Sequence, residues 1–391
     1  MKIGIDATCW WNQRGFGRMA RELLKAMFAL PSEHQFFLFV DQPAAPEMLV
    51  DNVEVVQIFP GRPLTEAATA NDRRSPRDLW RMYKAVKASD VELFFFPAVY
   101  SWFPIPRSLP TVVTLHDAIA EHFPKLIFPS WKGRLFWKLK MRLALHSCDR
   151  VMTVSHAAKA EIAEYVGVEP ERIDVISEAP SSNFVPLEGP NPGVRERLEL
   201  PAEGRLIVYV GGLAPHKNLH GLMQGFERAR AEEAMADVHL VLVGDFGGAG
   251  FHSNYASLRD RAQSQELQGA VHFTGFVSDE DLVQLYNEAW AAAMPSFSEG
   301  FGLPAVEAMA CGVPLLSSDR GSLPEVVGDA GYYFDPYDED SIAQAFHRMC
   351  VQPGGREAVA RLARPRALEF TWERAAKLAL GYLEKLAEGQ R

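Results

Sequence analysis

Short apolar runs alternate with amphipathic segments along the whole chain, and this pattern constrains the fold more than any other feature. KIGID, QFFLFV, VEVVQI, LFFFP, TVVTL, RVMTVS and RIDVIS appear in the first half, and RLIVYVGG, VHLVLVGD, VHFTG, AAAMPS, VPLLSS and GYYFD in the second. Most are continuously apolar and close on Gly, Asp, Ser or Pro. A strand covered on both faces needs no polar alternation, so such runs predict buried parallel strands. The segments between them, among them FGRMARELLKAMFAL, HKNLHGLMQGFERARA, DEDLVQLYNEAW, LPAVEAMA and DEDSIAQAFHRM, carry helical periodicity. The expected class is α/β, built as two doubly wound parallel sheets.

Length supports two domains, since 391 residues exceed a usual single domain. EAPSSNFVPLEGPNPG, residues 178–193, is the linker candidate, because it is rich in Pro, Ser, Asn and Gly and a new strand soon follows. The expected division is 1–185 and 186–371, with an amphipathic helix over about 372–391 packing back on the first domain. The composition, 48% hydrophobic and 23% charged, is that of a soluble globular enzyme. Cys9, Cys148, Cys311 and Cys350 are scattered, which argues against a metal cluster or disulfide framework and for a reducing compartment. MKIGID opens directly on a strand with no leader pattern, and no apolar run approaches the ~20 residues of a membrane span. The expected location is cytoplasmic. A net charge of -10 argues against a nucleic-acid partner.

RGFGRMA satisfies G-x-G-x-x-A through Gly15, Gly17 and Ala20, and Asp41 closes a second strand about 20 residues on, where a dinucleotide's ribose would sit. The tight turn of that fingerprint, however, starts where the first strand ends. Here Asp6 ends the strand and Gly15 comes about nine residues later, so a dehydrogenase reading fails in its detail. What survives is a pair of glycines before a helix, able to come close to a phosphate-bearing ligand.

PSFSEGFGLPAVEAMACGVP, from residue 295, is the most informative stretch. Glu299 and Glu307 are separated by seven residues, among them Gly300, Phe301, Gly302 and Leu303, and Pro304 marks the start of a helix. The preceding loop then offers the main-chain N–H groups of Phe301, Gly302 and Leu303 to an anion, helped by the helix dipole. A carboxylate on either side suits a hydroxyl-rich ligand flanking a phosphate. Taken alone, a glutamate early in a helix merely complements the dipole. In VYVGGLAPHKNLHGLMQGF, a strand ends at Gly211 and Gly212 and a helix begins near Asn218, with Lys217 at its start. A cation gains nothing from a helix N-terminus unless an anion joins it. In VVTLHDAIAEHFP, His116 comes at a strand's C-terminal end, where open α/β sheets bind ligands.

At these residues the sequence resembles a family 4 retaining glycosyltransferase of the GT-B architecture, two Rossmann-like domains facing across a cleft. GFGR, TVVTLHD, DRVMTVSHAAKAEI, GGLAPHKN, GFVSDEDLVQLYNEAW, SEGFGLPAVEAMACGVP and SLPEVVGDAG carry the resemblance in order along nearly the whole chain. Its texture is similar to that of bacterial polysaccharide mannosyltransferases. The resemblance implies that Glu299 contacts hydroxyls of the donor sugar and Glu307 holds the ribose. Lys217 and the Phe301, Gly302 and Leu303 amides would bind the diphosphate. His116 would orient the donor sugar, Gly275 and Phe276 would lie near the base, and Gly15 and Gly17 would form the first domain's lip over the nucleotide sugar. It implies no cofactor and no metal. Relatives commonly carry an arginine near the start of the GGLAPHK cluster. Here Gly212 and His216 stand there, so diphosphate charge falls on Lys217, the amides and His216.

The expected reaction is hexose transfer, with mannose from GDP-mannose as the best guess, to a glycan or lipid-linked acceptor in surface polysaccharide or glycoconjugate synthesis. A UDP-sugar-dependent glucosyl or N-acetylglucosaminyl transferase and a non-catalytic nucleotide-sugar-binding protein are the alternatives. A glycosidase with paired carboxylates fits poorly around a phosphate-type loop. Residues 125–142 carry Lys125, Lys132, Arg134, Lys138, Lys140 and Arg142 interleaved with Trp131, Phe136 and Trp137. Such a helix either lies peripherally on an anionic membrane or is a solvated, core-packed helix.

Overall fold

The structure, a computed structural model, describes residues 1–13, 15–58, 75–189, 193–245 and 254–389. Arg14 of RGFGRMA, residues 190–192 of the linker segment and the last two residues of the C-terminal helix segment lie outside them. The chain forms two compact units. The first comprises Met1–Pro124, Phe128–Glu178 and Thr371–Arg391, and the second Lys125–Ile127 and Ala179–Phe370. The change of unit after Glu178 falls at the start of the proline-rich segment.

All thirteen apolar runs are strands. In the first unit β1 (Lys2–Asp6), β2 (Gln35–Val40), β3 (Val53–Gln57), β4 (Leu93–Phe96), β5 (Thr111–Thr114), β6 (Arg150–Thr153) and β7 (Ile173–Val175) form one sheet in the order β3-β2-β1-β4-β5-β6-β7. In the second, β8 (Arg205–Val210), β9 (Val238–Val243), β10 (Val271–Gly275), β11 (Ala289–Met294), β12 (Leu315–Ser318) and β13 (Gly331–Phe334) run β10-β9-β8-β11-β12-β13. Every pairing is parallel. β1, β2 and β4 are buried almost throughout, as continuous apolar runs require. The strand order reverses between β1 and β4 in the first sheet and between β8 and β11 in the second. Ligands of doubly wound sheets bind outside the strand C-termini at such reversals.

Helices cover both sheets. Helix Gly15–Ala29 buries Met19, Leu23 and Met27, spaced one turn apart, and packs against helix Trp372–Ala387. Thr371 caps the latter by accepting from the Arg374 amide, and its buried face is Ala375, Ala376, Ala379, Leu380 and Leu383. In the second unit helix Leu219–Ala229 packs on helix Glu339–Cys350. A Cβ at Gly225 would come within 2.3 Å of Ile342 Cγ2, so the contact admits only glycine.

Candidate active site

The two strands flanking the reversal in the second unit deliver a lysine and a glutamate to each other. β8 leads into the Gly211-Gly212 turn, where the Tyr209 hydroxyl donates to Gly212 O at 2.7 Å. A 3₁₀ turn follows at Pro215–Lys217, and Asn218 adopts left-handed backbone at φ 51 before helix Leu219–Ala229. The buried Asn218 side chain donates to Pro336 O at 2.7 Å and fixes this turn. Lys217 thus stands on a separate turn directly ahead of the helix, whose N-cap is Asn218. β11 leads through Pro295 and Ser296 to Glu299, and Phe297 N donates to His216 O at 2.9 Å, tying the two loops together. Lys217 Nζ donates to Glu299 Oε1 at 2.7 Å and Oε2 at 2.8 Å, and Ser296 Oγ donates to Oε1 at 2.5 Å.

The loop after Glu299 is braced from behind. Ser322 Oγ lies 2.9 Å from both Glu299 O and Phe301 O. Gly321, at φ 57, passes so close that a Cβ there would come 2.9 Å from Glu299 N. Gly302, at φ 95, is the N-cap of helix Leu303–Ala310, and Pro304 lies in its first turn. Among the described residues the amides of Phe301, Gly302 and Leu303 donate to no acceptor. The Phe301 ring is buried, edge-on to Phe370 at 5.4 Å, so this residue offers a ligand its main chain. Glu307 lies just past the helix's first turn and is buried. Burial, and after it the Glu307 charge, pushes the Cys311 thiol up to about 12.

Electrostatics at the pair follow from its burial. Removal from water alone would raise the Glu299 carboxyl. The Lys217 charge and the hydrogen bonds from Lys217 and Ser296 outweigh that and hold it below the usual range. His216 goes the other way, since burial first and the Lys217 charge second lower it to about 3. Burial thus favours the neutral ring, which can meet a diphosphate as a hydrogen-bond donor rather than as a cation. Its enclosed Nδ1 has no hydrogen-bond partner. Gly212 is exposed beside this turn. Gly275, at φ 77, ends the edge strand β10, two strands from β8, and the 70% exposed Phe276 follows it.

His116 belongs to the first unit, just beyond β5. Its Nε2 lies 3.1 Å from Pro97 O, directly after β4, and its Nδ1 lies 3.5 Å from Glu178 Oε1. Phe16 comes between Gly15 and Gly17 in the chain, and its ring lies 6.4 Å from the His116 ring and 4.9 Å from that of Tyr100. Gly17 has a steric explanation within this unit, because a Cβ there would come 2.1 Å from Asn12 O. Its approach is to the chain's own β1 loop, which Arg21 also clamps through Trp10 O and Asn12 O. That accounts for Gly17 without a ligand. Gly15 opens the helix with open space around it.

Helix Trp131–Ser147 buries Trp137, Met141 and Ala144. Its opposite side leaves Trp131, Leu135, Phe136, Leu139 and Leu143 exposed, Trp131 by 71%. Among the described residues no helix is long and apolar enough to cross a membrane.

Two family models match this chain, Glycosyltransferase Family 4 over residues 14–179 and Glycosyl transferases group 1 over residues 192–365. An O-antigen chain mannosyltransferase B of Escherichia coli is 33% identical over 276 residues, 69% of each chain. The chain belongs to the family 4, or group 1, glycosyltransferases. An MMP alpha-(1->4)-mannosyltransferase of Mycolicibacterium hassiacum is 31% identical over 300 residues, 71% of this chain and 65% of that one. In fold, the glycosyltransferase is similar to Anabaena Alr3699/HepE, solved with UDP and glucose, at a TM-score of 0.71 and 19% identity over 98% of this chain and 100% of that one. The architecture is that of GT-B enzymes, and the protein is a transferase.

Three supports of the glycosyltransferase's Glu299 loop are not singled out by sequence reasoning. Ser296, Gly321 and Ser322 lie within or beside quoted blocks, but serine and glycine in loops are too common to stand out. Glu178 is equally unmarked, at the head of a segment that reads as linker. The pair and the amide turn supply one cation, one carboxylate and unengaged N–H donors in one loop system, which is chemistry for a diphosphate joined to a polyol.

Proposed function

We propose that this glycosyltransferase moves mannose from GDP-mannose, with retention, to a glycan or lipid-linked acceptor in the assembly of surface polysaccharide or glycoconjugate. The observation that carries the reading is the Lys217–Glu299 pair placed beside the Phe301, Gly302 and Leu303 amides. In it the diphosphate takes Lys217 and the amides, Glu299 turns to hydroxyls of the sugar, and Glu307 holds the ribose. Gly275 and Phe276 border the base, Gly212 lets the chain pass near the ligand, and His116 orients the sugar. The names of the two mannosyltransferase relatives support the choice of sugar, and the UDP and glucose bound to Alr3699/HepE support a nucleotide sugar as donor.

In the reaction the bond from the anomeric carbon to the phosphate oxygen breaks and a bond to the acceptor oxygen forms on the same face. The acceptor's proton passes to the departing diphosphate. Charge developing there is met by Lys217 and by amides already in place, so little reorganisation is required. No metal or other cofactor enters this scheme.

The exposed side of helix Trp131–Ser147 fits an anionic membrane surface, which would bring the enzyme to a lipid-linked acceptor. Trp131, Leu135, Leu139 and Leu143 form a stripe with one residue per turn, flanked by exposed Lys132, Arg134, Lys138 and Arg142, and the helix has no acidic residue. A second copy of the chain would set like charges against each other there.

The function is tested by a thermal-shift screen and a transfer assay with GDP-mannose, UDP-glucose and UDP-N-acetylglucosamine. Stabilisation and nucleoside diphosphate release with GDP-mannose alone are expected. Selective turnover of a UDP-sugar replaces the donor reading, and binding without turnover makes the protein a non-catalytic binder.

A further inference from the structure

His116 and Glu178 face each other deep in the first unit, 9% and 6% exposed, with Nδ1 3.5 Å from Oε1. The ring's other nitrogen is committed. A main-chain carbonyl only accepts, so Nε2 donates its proton to Pro97 O at 3.1 Å. Nδ1 is left facing a carboxylate across a gap longer than the usual N–H···O distance of about 2.7–3.2 Å. Among the described residues no amide and no side chain donates a hydrogen bond to Glu178. Neither Glu178 oxygen is among the sealed-off side-chain atoms, so a group entering beside the carboxylate can reach it and supply the missing donor.

We infer that Glu178 is a specificity-determining residue that, with His116, binds one sugar hydroxyl. A hydroxyl both donates and accepts. Placed about 2.8 Å from each atom, its oxygen donates its one proton to the Glu178 carboxylate and accepts from Nδ1 when the imidazole carries a proton on both nitrogens. A phosphate would meet the carboxylate's negative charge and is disfavoured there. Pro97 and His116 directly follow the adjacent strands β4 and β5, so the pair stands at the C-terminal edge of the sheet, where doubly wound folds bind ligands. The Phe16 ring, 6.4 Å from the imidazole, gives the C–H face of a sugar ring an apolar neighbour. That the hydroxyl belongs to a sugar rests on the glycosyltransferase reading. Glu178 itself is assigned from the geometry.

The test is a cycle between Glu178 and individual hydroxyls, using GDP-mannose and its 2-, 3-, 4- and 6-deoxy analogues as donors and methyl α-mannoside and its deoxy analogues as acceptors. With the wild-type enzyme one analogue is expected to lose about 10- to 100-fold in kcat/KM. In Glu178→Ala that single penalty collapses toward unity while the others persist. Glu178→Gln, which keeps an accepting oxygen, recovers part of the discrimination. Equal losses with every analogue in Glu178→Ala, or undiminished discrimination, overturn the inference, because a purely structural role cannot single out one hydroxyl. Circular dichroism checks that both variants fold. If GDP-mannose gives no GDP release at all, the proposed function fails. Calorimetric binding of the same sugars to wild type and Glu178→Ala then decides the Glu178 assignment without turnover, and absence of binding to either protein overturns it.

Discussion

Lys217 and Glu299 stand 82 positions apart in the chain and meet in a two-oxygen ion pair at 2.7 and 2.8 Å. Each is the other's main charge partner, and Glu299 is buried. Lys217→Met leaves a buried carboxylate without its cation and is expected to cost about 3 kcal/mol of stability. Lys217→Met/Glu299→Gln recovers most of it, measured by urea unfolding. Either single change lowers transfer at least about 100-fold, and the double mutant is no worse than the poorer single, because both act through one unit. Normal turnover in either variant removes the pair from the site.

Gly302 makes a second test. Its φ of 95 is reached at a cost by any residue with a Cβ, and that atom would also press on Leu323 at 3.0 Å. Gly302→Ala should lose about 1–2 kcal/mol of stability and shift the amides it joins. GDP affinity by calorimetry is expected to fall at least tenfold. An unchanged affinity would show that these amides do not hold the diphosphate.

Glu121 tests the electrostatics of the first unit. Burial pushes its carboxyl up to about 7, even though it accepts a hydrogen bond from Trp137 Nε1 at 2.7 Å. The unfolded chain releases this proton near 4.5, while the native state keeps it to about 7. The native state therefore binds the extra proton in that window, and stability falls as pH rises through it. Glu121→Gln keeps an acceptor for Trp137 and removes the titration. It should be more stable than wild type at pH 8, by about 1–2 kcal/mol, and equal to it at pH 4. Equal melting temperatures at both pH values would refute the assignment.

The exposed stripe of helix Trp131–Ser147 is tested by flotation. Binding is expected to vesicles containing phosphatidylglycerol, not to pure phosphatidylcholine, and to weaken with salt. Trp131→Ala/Leu139→Ala should reduce partitioning by about tenfold or more without affecting the fold, since both side chains are exposed. Failure to float, or a concentration-dependent dimer abolished by the same changes, ends the membrane reading.

Much of the fold was legible in the residues. Parallel strands buried on both faces leave continuous apolar runs, and β1 to β13 fall on such runs. LPAVEAMA is helix Leu303–Ala310 end to end, because Gly302 and Pro304 punctuate its start. Other features could not be read. Trp137, Met141 and Ala144 lie on one face of their helix, and Trp131, Leu135, Leu139 and Leu143 share the spacing of a second. Periodicity marks both as apolar and says nothing about which one is covered. Gly17 belongs to a nucleotide-type pattern, yet the atom it makes room for is Asn12 O.

The sequence by itself determined two doubly wound α/β sheets and the loop that carries Glu299, Gly302 and Glu307, because strand burial, helix starts and glycine turns are local and leave local marks. Only the tertiary structure decided which side chains meet. It paired Lys217 with Glu299 across a strand reversal, held His216 neutral by burial, and set Glu178 against His116. Those outcomes depend on distances and dielectric between residues far apart in the chain, which no local pattern encodes.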